Sequence, residues 1–188
     1  MTETTPPLPA LNDLSAREEE LIEAARSGSV LVCSHLTAHI LVASTMTEHQ
    51  IRADVIRELL LGYHGQLDPR GIRVRGALIV GQLDLNYIDT AVGLELVGCT
   101  FDRSITTRGA RLPRLTLAFS RIVALNAADL RLEGNMNLDY VRLNGRNAKI
   151  QLSDARIGGR LVCRQLHAVY ANGPAMAPFV CVWTATSC

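Results

Sequence analysis

Side chains that commonly bind metals are concentrated in one short stretch of the sequence. Cys33, His35 and His39 lie within seven positions, and His49 follows ten residues later. Thiolate and imidazole groups are ligands that zinc prefers. On a helix His35 and His39 would share a face, but no carboxylate lies between them as in the H-E-x-x-H motif. We therefore expect ordinary packing at these residues, with no bound metal and no cofactor.

A second group of chemically distinctive side chains is basic. Five arginines fall within nineteen positions, namely Arg103, Arg108, Arg111, Arg114 and Arg121. If the chain coils in this region, several of them would align as a basic stripe that suits an acidic partner or phosphate groups. The alternative is a solvated outer surface on which arginine provides solubility. The sequence leaves both open, and we take the five arginines as the candidate interaction surface.

Motifs of known catalytic sites do not occur in the sequence. It contains no G-x-S-x-G nucleophile elbow, no P-loop and no G-x-G-x-x-G segment after a strand. Six carboxylates fall between apolar positions, where solvated residues belong: Asp84, Asp89, Glu95, Asp102, Asp129 and Asp139. We predict that the protein is not an enzyme and has no catalytic residues.

Charge is nearly balanced over the whole chain but differs between its two parts. The 188 residues have a net charge of +1, which argues against a strongly basic nucleic-acid binder and against a strongly acidic DNA mimic. Residues 1–70 contain ten acids and five bases, whereas residues 71–188 contain eight acids and fourteen bases. Such asymmetry either holds the two parts together or marks two surfaces. Nucleic acid is not an expected partner.

Cysteine usage and the lengths of the apolar stretches indicate a cytoplasmic protein. The five cysteines form no C-x-x-C pair, and Met1–Ala10 lacks the basic start of a signal peptide. The longest apolar stretches, Val30–Ser44 and Pro178–Trp183, are too short or too interrupted to cross a bilayer. We expect no transmembrane segment.

The first part of the chain has the signals of a disordered lead-in followed by helices. Residues 1–14 are rich in proline and predict the lead-in, and residues 15–70 predict a helical cap. Ser15 and Glu18 form a capping box, in which each side chain bonds the backbone N–H of the other residue. This pattern predicts a helix near 15–27.

A second helix is predicted to begin at a capping box formed by Thr47 and Gln50 and to end at Gly62. Between the two helices, residues 30–44 fit either a strand or a buried helix, since their periodicity does not decide. The apolar face of the second helix is expected to cover the open edge of the next element. Its predicted docking residues are Ile51, Val55 and Leu59.

After a turn at residues 68–71 the sequence changes to short repeats. One repeated element is an apolar doublet with one residue between its members: Leu83/Leu85, Leu94/Leu96, Leu115/Leu117, Met136/Leu138, Ile150/Leu152 and Leu161/Cys163. A second element alternates with it, a small residue followed two places later by a branched or aromatic one: Cys99/Phe101, Ala110/Leu112, Ser120/Ile122, Ala128/Leu130 and Ala155/Ile157. Strands this short bury a shared face only if each stacks on its equivalent in the next coil.

These repeats predict a mainly β fold, a solenoid of about four coils over residues 71–165, in which one coil takes roughly 20 to 22 residues. A narrow coil has room for stacked aliphatic residues and few rings, which explains the 4% aromatic content. Phe101 and Phe119 are the aromatic residues that we expect near its core.

Several of these phrases resemble a known family. Ala128-Asp129-Leu130, GALIVGQLDL (Gly76–Leu85) and ARIGGRLVC (Ala155–Cys163) resemble the pentapeptide-repeat family, and in particular a divergent bacterial group of mostly uncharacterised proteins. The resemblance implies a right-handed quadrilateral β-helix. It also implies two functional alternatives, which are binding to topoisomerase (DNA gyrase) by DNA mimicry and a place in a membrane-associated oxidoreductase-like protein.

Residues 166–188 depart from the repeat and predict an irregular C-terminal segment. A solenoid end without a polar cap is a template for self-association. We therefore predict a homodimer with contacts at Val162, Phe179, Val180 and Trp183. The function that the sequence favours is a non-catalytic protein–protein interaction or scaffold module, whose partner the sequence does not identify.

Overall fold

The first helix forms where its capping box predicts it. The computed structural model describes residues 13–34, 49–144 and 148–169, and helix α1 spans Ala16–Ser27. The Ser15 Oγ accepts a hydrogen bond from the Glu18 N–H at 3.3 Å, and the Glu18 carboxylate accepts one from the Ser15 N–H at 2.9 Å. Gly28 ends the helix with φ at 68°, a conformation that glycine adopts without strain.

The second helix begins later than predicted. Residues Gln50–Arg52 form a strand, and helix α2 spans Ala53–Leu60 with no side-chain cap. Gln50 therefore does not cap a helix, and Thr47 lies outside the described residues. Gln50–Arg52 forms a strand instead of a helical turn because Ile51 pairs with Ile79 of the first coil and lies in its core. The segment thereby gains both sheet hydrogen bonds and buried apolar surface.

Nineteen short strands within the described residues stack in parallel into four sheets. Sheet A consists of β1 (Leu31–Val32), β3 (Ile72–Arg75), β6 (Leu94–Val97), β10 (Leu115–Thr116), β14 (Met136–Asn137) and β18 (Leu161–Val162). Sheet B consists of β2 (Gln50–Arg52), β4 (Leu78–Val80), β7 (Thr100–Phe101), β11 (Arg121–Ile122), β15 (Arg142–Asn144) and β19 (His167–Val169). Sheet C consists of β5 (Leu83–Asp84), β8 (Ile105–Thr106), β12 (Leu125–Asn126) and β16 (Ile150–Gln151). Sheet D consists of β9 (Arg111–Leu112), β13 (Arg131–Leu132) and β17 (Arg156–Ile157).

The chain visits the four sheets in the same order in each coil, which confirms the predicted β-solenoid of about four coils. Leu94, Leu115 and Met136 are Cα partners on neighbouring strands and are separated by 21 residues each. Strands β1 and β2 extend sheets A and B into the segment that the sequence assigned to the cap. At the other end, β19 extends sheet B beyond residue 165.

The core is a set of aliphatic columns that point into the coil. Both members of the doublet Leu115/Leu117 are fully buried, as are Leu94 and Met136 above and below Leu115. Ser120 is a buried polar residue among them. Its Oγ accepts a hydrogen bond from the Cys99 N–H at 3.0 Å and donates one to the Leu96 carbonyl at 2.9 Å, which joins two coils through one hydroxyl.

Phe101 lies in the core as predicted, but the prediction for Phe119 is wrong. Phe119 is 56% exposed, and its ring stacks on that of Tyr140 in the next coil with centroids 4.9 Å apart. Both residues occupy the corner between sheets A and B with φ near +60°, where Gly98 stands one coil earlier. A residue in this left-handed turn projects outward, so aromatic character alone does not indicate burial.

Candidate interaction surface

Sheet D presents a column of arginines, one from each of three successive coils. Arg111, Arg131 and Arg156 are Cα partners on its three parallel strands, and we call them the arginine ladder. Neighbouring parallel strands lie about 4.8 Å apart, so the three side chains leave the sheet at that spacing. All three are exposed. Asp89 forms a β-bridge to Arg111 and continues the column by one coil.

The local sequence explains why these side chains point outward. Each arginine precedes an aliphatic residue that points into the coil, and alternate residues of a strand face opposite sides. The inward residues Leu112 and Leu132 are 2% and 4% exposed. Burying them forces the preceding arginines into solvent.

One of the small-x-aliphatic units assigned from the sequence is out of register with the others. Ala128/Leu130 and Ala110/Leu112 belong to the same predicted set of units, but the strand equivalent to Arg111–Leu112 is Arg131–Leu132. Asp129 instead sits in the corner between sheets C and D with φ at 57°. The register differs by two residues. A shift by two positions leaves the alternation of inward and outward side chains unchanged, so the polarity of the sequence alone does not reveal it.

The predicted interaction surface consists of five arginines, and the structure distributes them around the solenoid. They span nineteen positions, nearly one 21-residue coil, so successive members lie at successive sides or corners. Arg103 follows β7, Arg108 lies in the corner after β8, Arg111 lies on sheet D, Arg114 follows β9 and Arg121 lies on sheet B. Of the five, Arg111 alone belongs to the arginine ladder.

The side chain of Arg114 joins neighbouring coils, whereas Arg121 joins them through the pairing of its strand. The Arg114 Nε donates to Glu95 Oε1 at 3.0 Å, and its Nη2 donates to the Arg70 carbonyl. Arg121 is half-buried and is the Cα partner of Arg142 in the next coil. Arg131 and Arg156 were not predicted because they lie outside the arginine-rich stretch at 103–121. The informative signal is the recurrence of arginine before an inward aliphatic residue at separations of 20 and 25 residues.

Two open depressions flank the arginine ladder. One, of about 430 Å³, lies toward the corner with sheet C and is lined by residues that include Tyr87, Arg108 and Asp129. The other, of about 270 Å³, lies on the opposite side and includes Thr90 and Glu133. Arg111 and Arg131 line both. The ladder is therefore a ridge between two shallow grooves, a shape that suits an extended macromolecular partner better than an enclosed small molecule.

Among the six predicted surface carboxylates, Asp139 differs from expectation because its side chain is only 7% exposed. Its Oδ1 accepts from the Arg164 N–H at 2.8 Å, and its Oδ2 accepts from Arg164 Nη2 at 2.6 Å. These hydrogen bonds and the charge of Arg164 hold the pKa of Asp139 below its ordinary value. The pair links two successive coils and has a structural role.

A second carboxylate with a shifted pKa, Glu18, is buried where α1 meets the solenoid. Its two oxygens accept four hydrogen bonds, from the Ser15 N–H and from the N–H, Nε and Nη2 of Arg52, at 2.7 to 3.0 Å. Burial raises the pKa of Glu18, but the hydrogen bonds and charge of Arg52 together with the Ser15 N–H outweigh it and bring the pKa down to about 2. Glu18 thus fixes α1 to strand β2.

The predicted cap-docking residues all lie in the core. Ile51 and Val55 are fully buried and Leu59 is 1% exposed. Ile51 belongs to β2 and the other two to α2, which packs against β5 and β2.

The remaining sequence candidates are only partly described. Of the potential metal ligands, Cys33 is buried and burial raises the pKa of its thiol to about 11, while His35 and His39 lie outside the described residues. The described part of the chain contains no group of three or more metal-binding side chains. Val162 is half-buried on β18; Phe179, Val180 and Trp183 lie outside the described residues.

Comparison of the chain with family models, with curated proteins and with solved structures gave no match. Within the described ranges, no helix has both the length and the apolar character needed to cross a membrane.

Proposed function

We propose that this protein is a non-catalytic protein–protein interaction or scaffold module that also binds a second copy of itself. The observation that carries the proposal is the regular outer surface of the solenoid, which presents one side chain per coil at a fixed spacing of about 4.8 Å. Repeat proteins use such surfaces to bind partners over an extended area. The arginine ladder and its two open grooves are the part of this surface with the strongest chemical character.

The stacking of four sheets supports a relationship to the pentapeptide-repeat proteins, which the sequence resembles. We propose that the chain is a divergent bacterial member of that group. We also propose that it acts in the cytoplasm, because Cys33, Cys99 and Cys163 are free thiols in the described structure and a reducing compartment preserves them.

DNA mimicry, the alternative that the family resemblance implies, requires a continuous acidic face. The outward column of sheet C runs Asp84, Thr106, Asn126 and Gln151. On sheet D the outward column contains three arginines. These columns give DNA mimicry no support, and we favour the interaction module.

Affinity capture tests the proposal. Tagged intact chain is incubated at physiological salt with untagged intact chain and, separately, with lysate of its native host, and the eluates are quantified. Because the proposal includes self-association, we expect untagged chain in a stoichiometric amount, and a foreign polypeptide in the lysate eluate would identify a further partner. Absence of the untagged chain would contradict self-association, and absence of a foreign polypeptide as well would contradict the whole proposal. A gyrase supercoiling assay on the same preparation would detect DNA mimicry as inhibition.

A further inference from the structure

The arginine ladder is an arrangement that an isolated chain does not favour. Like charges placed directly opposite each other on neighbouring strands destabilise a sheet. Asp89 lies 3.1 Å from Arg111 and neutralises one end of the ladder. Within the described residues, Arg131 and Arg156 have no carboxylate within 4 Å. Two cations at one strand spacing thus remain available to external anions.

Acidic residues beside the ladder limit what kind of anion fits. Asp129 and Asp154 lie two positions before Arg131 and Arg156, and Glu133 lies two positions after Arg131. A continuous polyphosphate would run past these carboxylates and be repelled. Discrete carboxylates spaced to meet the guanidinium groups, as on the surface of a protein, avoid this repulsion.

Helix α1 of this protein carries such carboxylates. Glu19, Glu20 and Glu23 are exposed on it, and Glu20 is paired with Arg17 at 2.6 Å. Glu19 and Glu23 are four positions apart and have no ion-pair partner among the described residues. Helix positions i and i+4 lie about 5 to 6 Å apart, close to the strand spacing of about 4.8 Å at which the ladder repeats.

Helix α1 does not meet the ladder within one molecule. It packs against β1, β2 and β3, which belong to sheets A and B at the start of the solenoid. The ladder lies on sheet D, in later coils. The two charged surfaces are therefore separate, and each remains available to another molecule.

We propose that the acidic face of α1 in one copy binds the arginine ladder of a second copy, with Glu19 and Glu23 facing Arg131 and Arg156. The proposal rests on the proposed function and names a surface of self-association that differs from the C-terminal contacts predicted from the sequence, which were Val162, Phe179, Val180 and Trp183. It also gives a role to the charge asymmetry, since residues 1–70 have five more acids than bases and residues 71–188 have six more bases than acids. In a two-fold dimer the same contact forms twice.

Charge reversal in trans tests the proposal on the full chain. One variant carries Arg131→Glu and Arg156→Glu, and the other carries Glu19→Arg and Glu23→Arg. Sedimentation equilibrium at low salt should show that each variant alone associates at least about tenfold more weakly than the wild type, because like charges then face each other. An equimolar mixture should recover wild-type association, since every contact in the mixed complex again joins opposite charges.

The matched control is Arg142→Glu, which reverses an exposed arginine at the equivalent strand position on sheet B and should leave association unchanged. Unfolding midpoints of all variants verify that they are folded. Raising the salt concentration should weaken wild-type association, because exposed charges are screened beyond about 10 Å at 0.1 M.

Two outcomes overturn the inference in distinguishable ways. Wild-type association that neither reversal weakens, or that the mixture fails to restore, means that the contact lies elsewhere and leaves the proposed function standing. A wild-type chain that is monomeric at every concentration also overturns it. In that case, capture of a foreign partner decides whether the module role survives.

Discussion

Replacing Glu18 by glutamine removes the charge that ties α1 to the solenoid, and the cost follows from its contacts. Glutamine offers one oxygen and one NH₂ group where the carboxylate accepts four hydrogen bonds. The NH₂ group would face two donors that it cannot satisfy. A hydrogen bond to a charged group contributes roughly 1.5 to 3 kcal/mol, and losing part of this set leaves buried donors unpaired.

The lowered pKa of Glu18 gives a second value for the free energy that its charge contributes to folding. A fall from 4.5 to about 2 corresponds to roughly 3 kcal/mol of stability. The Arg52 side chain is 36% exposed, so solvent screening reduces this to about 2 kcal/mol at pH 7. Because the pKa is lower in the folded state, this contribution is fully present above pH 4.5 and is lost as the pH falls toward 2.

Urea unfolding of the wild type and of Glu18→Gln between pH 7 and pH 3 measures both effects. We expect Glu18→Gln to lose about 2 kcal/mol at pH 7, with the difference shrinking below pH 4.5 because only the wild type titrates at this site. Glu20→Gln is the control, since Glu20 is 55% exposed and its pairing with Arg17 contributes little. A loss below about 0.5 kcal/mol, or a loss that is independent of pH, would refute the assigned role of Glu18.

Four further predictions concern the core and corners of the solenoid. Leu59→Asp should cause aggregation, because it places a charge at a position that is only 1% exposed. A variant that elutes from gel filtration as a soluble, folded protein would contradict the docking of α2 on the solenoid. Ser120→Ala should lower the free energy of unfolding by about 1 to 3 kcal/mol, because it leaves the buried Cys99 N–H without an acceptor. An unchanged urea midpoint would show that the hydrogen bond from Cys99 to Ser120 does not stabilise the fold. Cys99 should resist thiol reagents, since burial raises its pKa to about 12, and the half-buried Cys163 should react before it. Mass spectrometry that finds Cys99 modified before Cys163 would refute this. Phe119→Asn should change the free energy of unfolding by less than about 1 kcal/mol. Asparagine tolerates φ near +60°, and this gain offsets the loss of ring stacking on Tyr140. A thermal shift equivalent to a loss of more than about 2 kcal/mol would mean that ring packing dominates.

The sequence was sufficient for features that depend on short-range rules. The capping box at Ser15 and Glu18 correctly predicts α1, and the period-two doublet Leu115/Leu117 correctly predicts residues that point into a stacked coil. Each of these two signals is carried by residues only two or three positions apart. Over so short a distance, backbone geometry determines the direction of the side chains.

The features that the sequence did not predict depend on which residues meet across coils. Gln50 is part of a strand because of its partner on β4, which lies 28 positions later in the chain. Phe119 is exposed because the corner turns outward there, and hydrophobicity does not report the sign of φ. The arginine ladder joins residues 20 and 25 positions apart, a spacing that becomes meaningful only once the exact coil length is known.

Sedimentation equilibrium of the unmodified full chain, over concentrations that reach tens of micromolar, tests the central claim of a self-associating interaction module most directly. The account predicts a mass that rises from 20.5 kDa toward about twice that value or higher as concentration increases, with weaker association at higher salt. A mass that stays at 20.5 kDa at every concentration would contradict it.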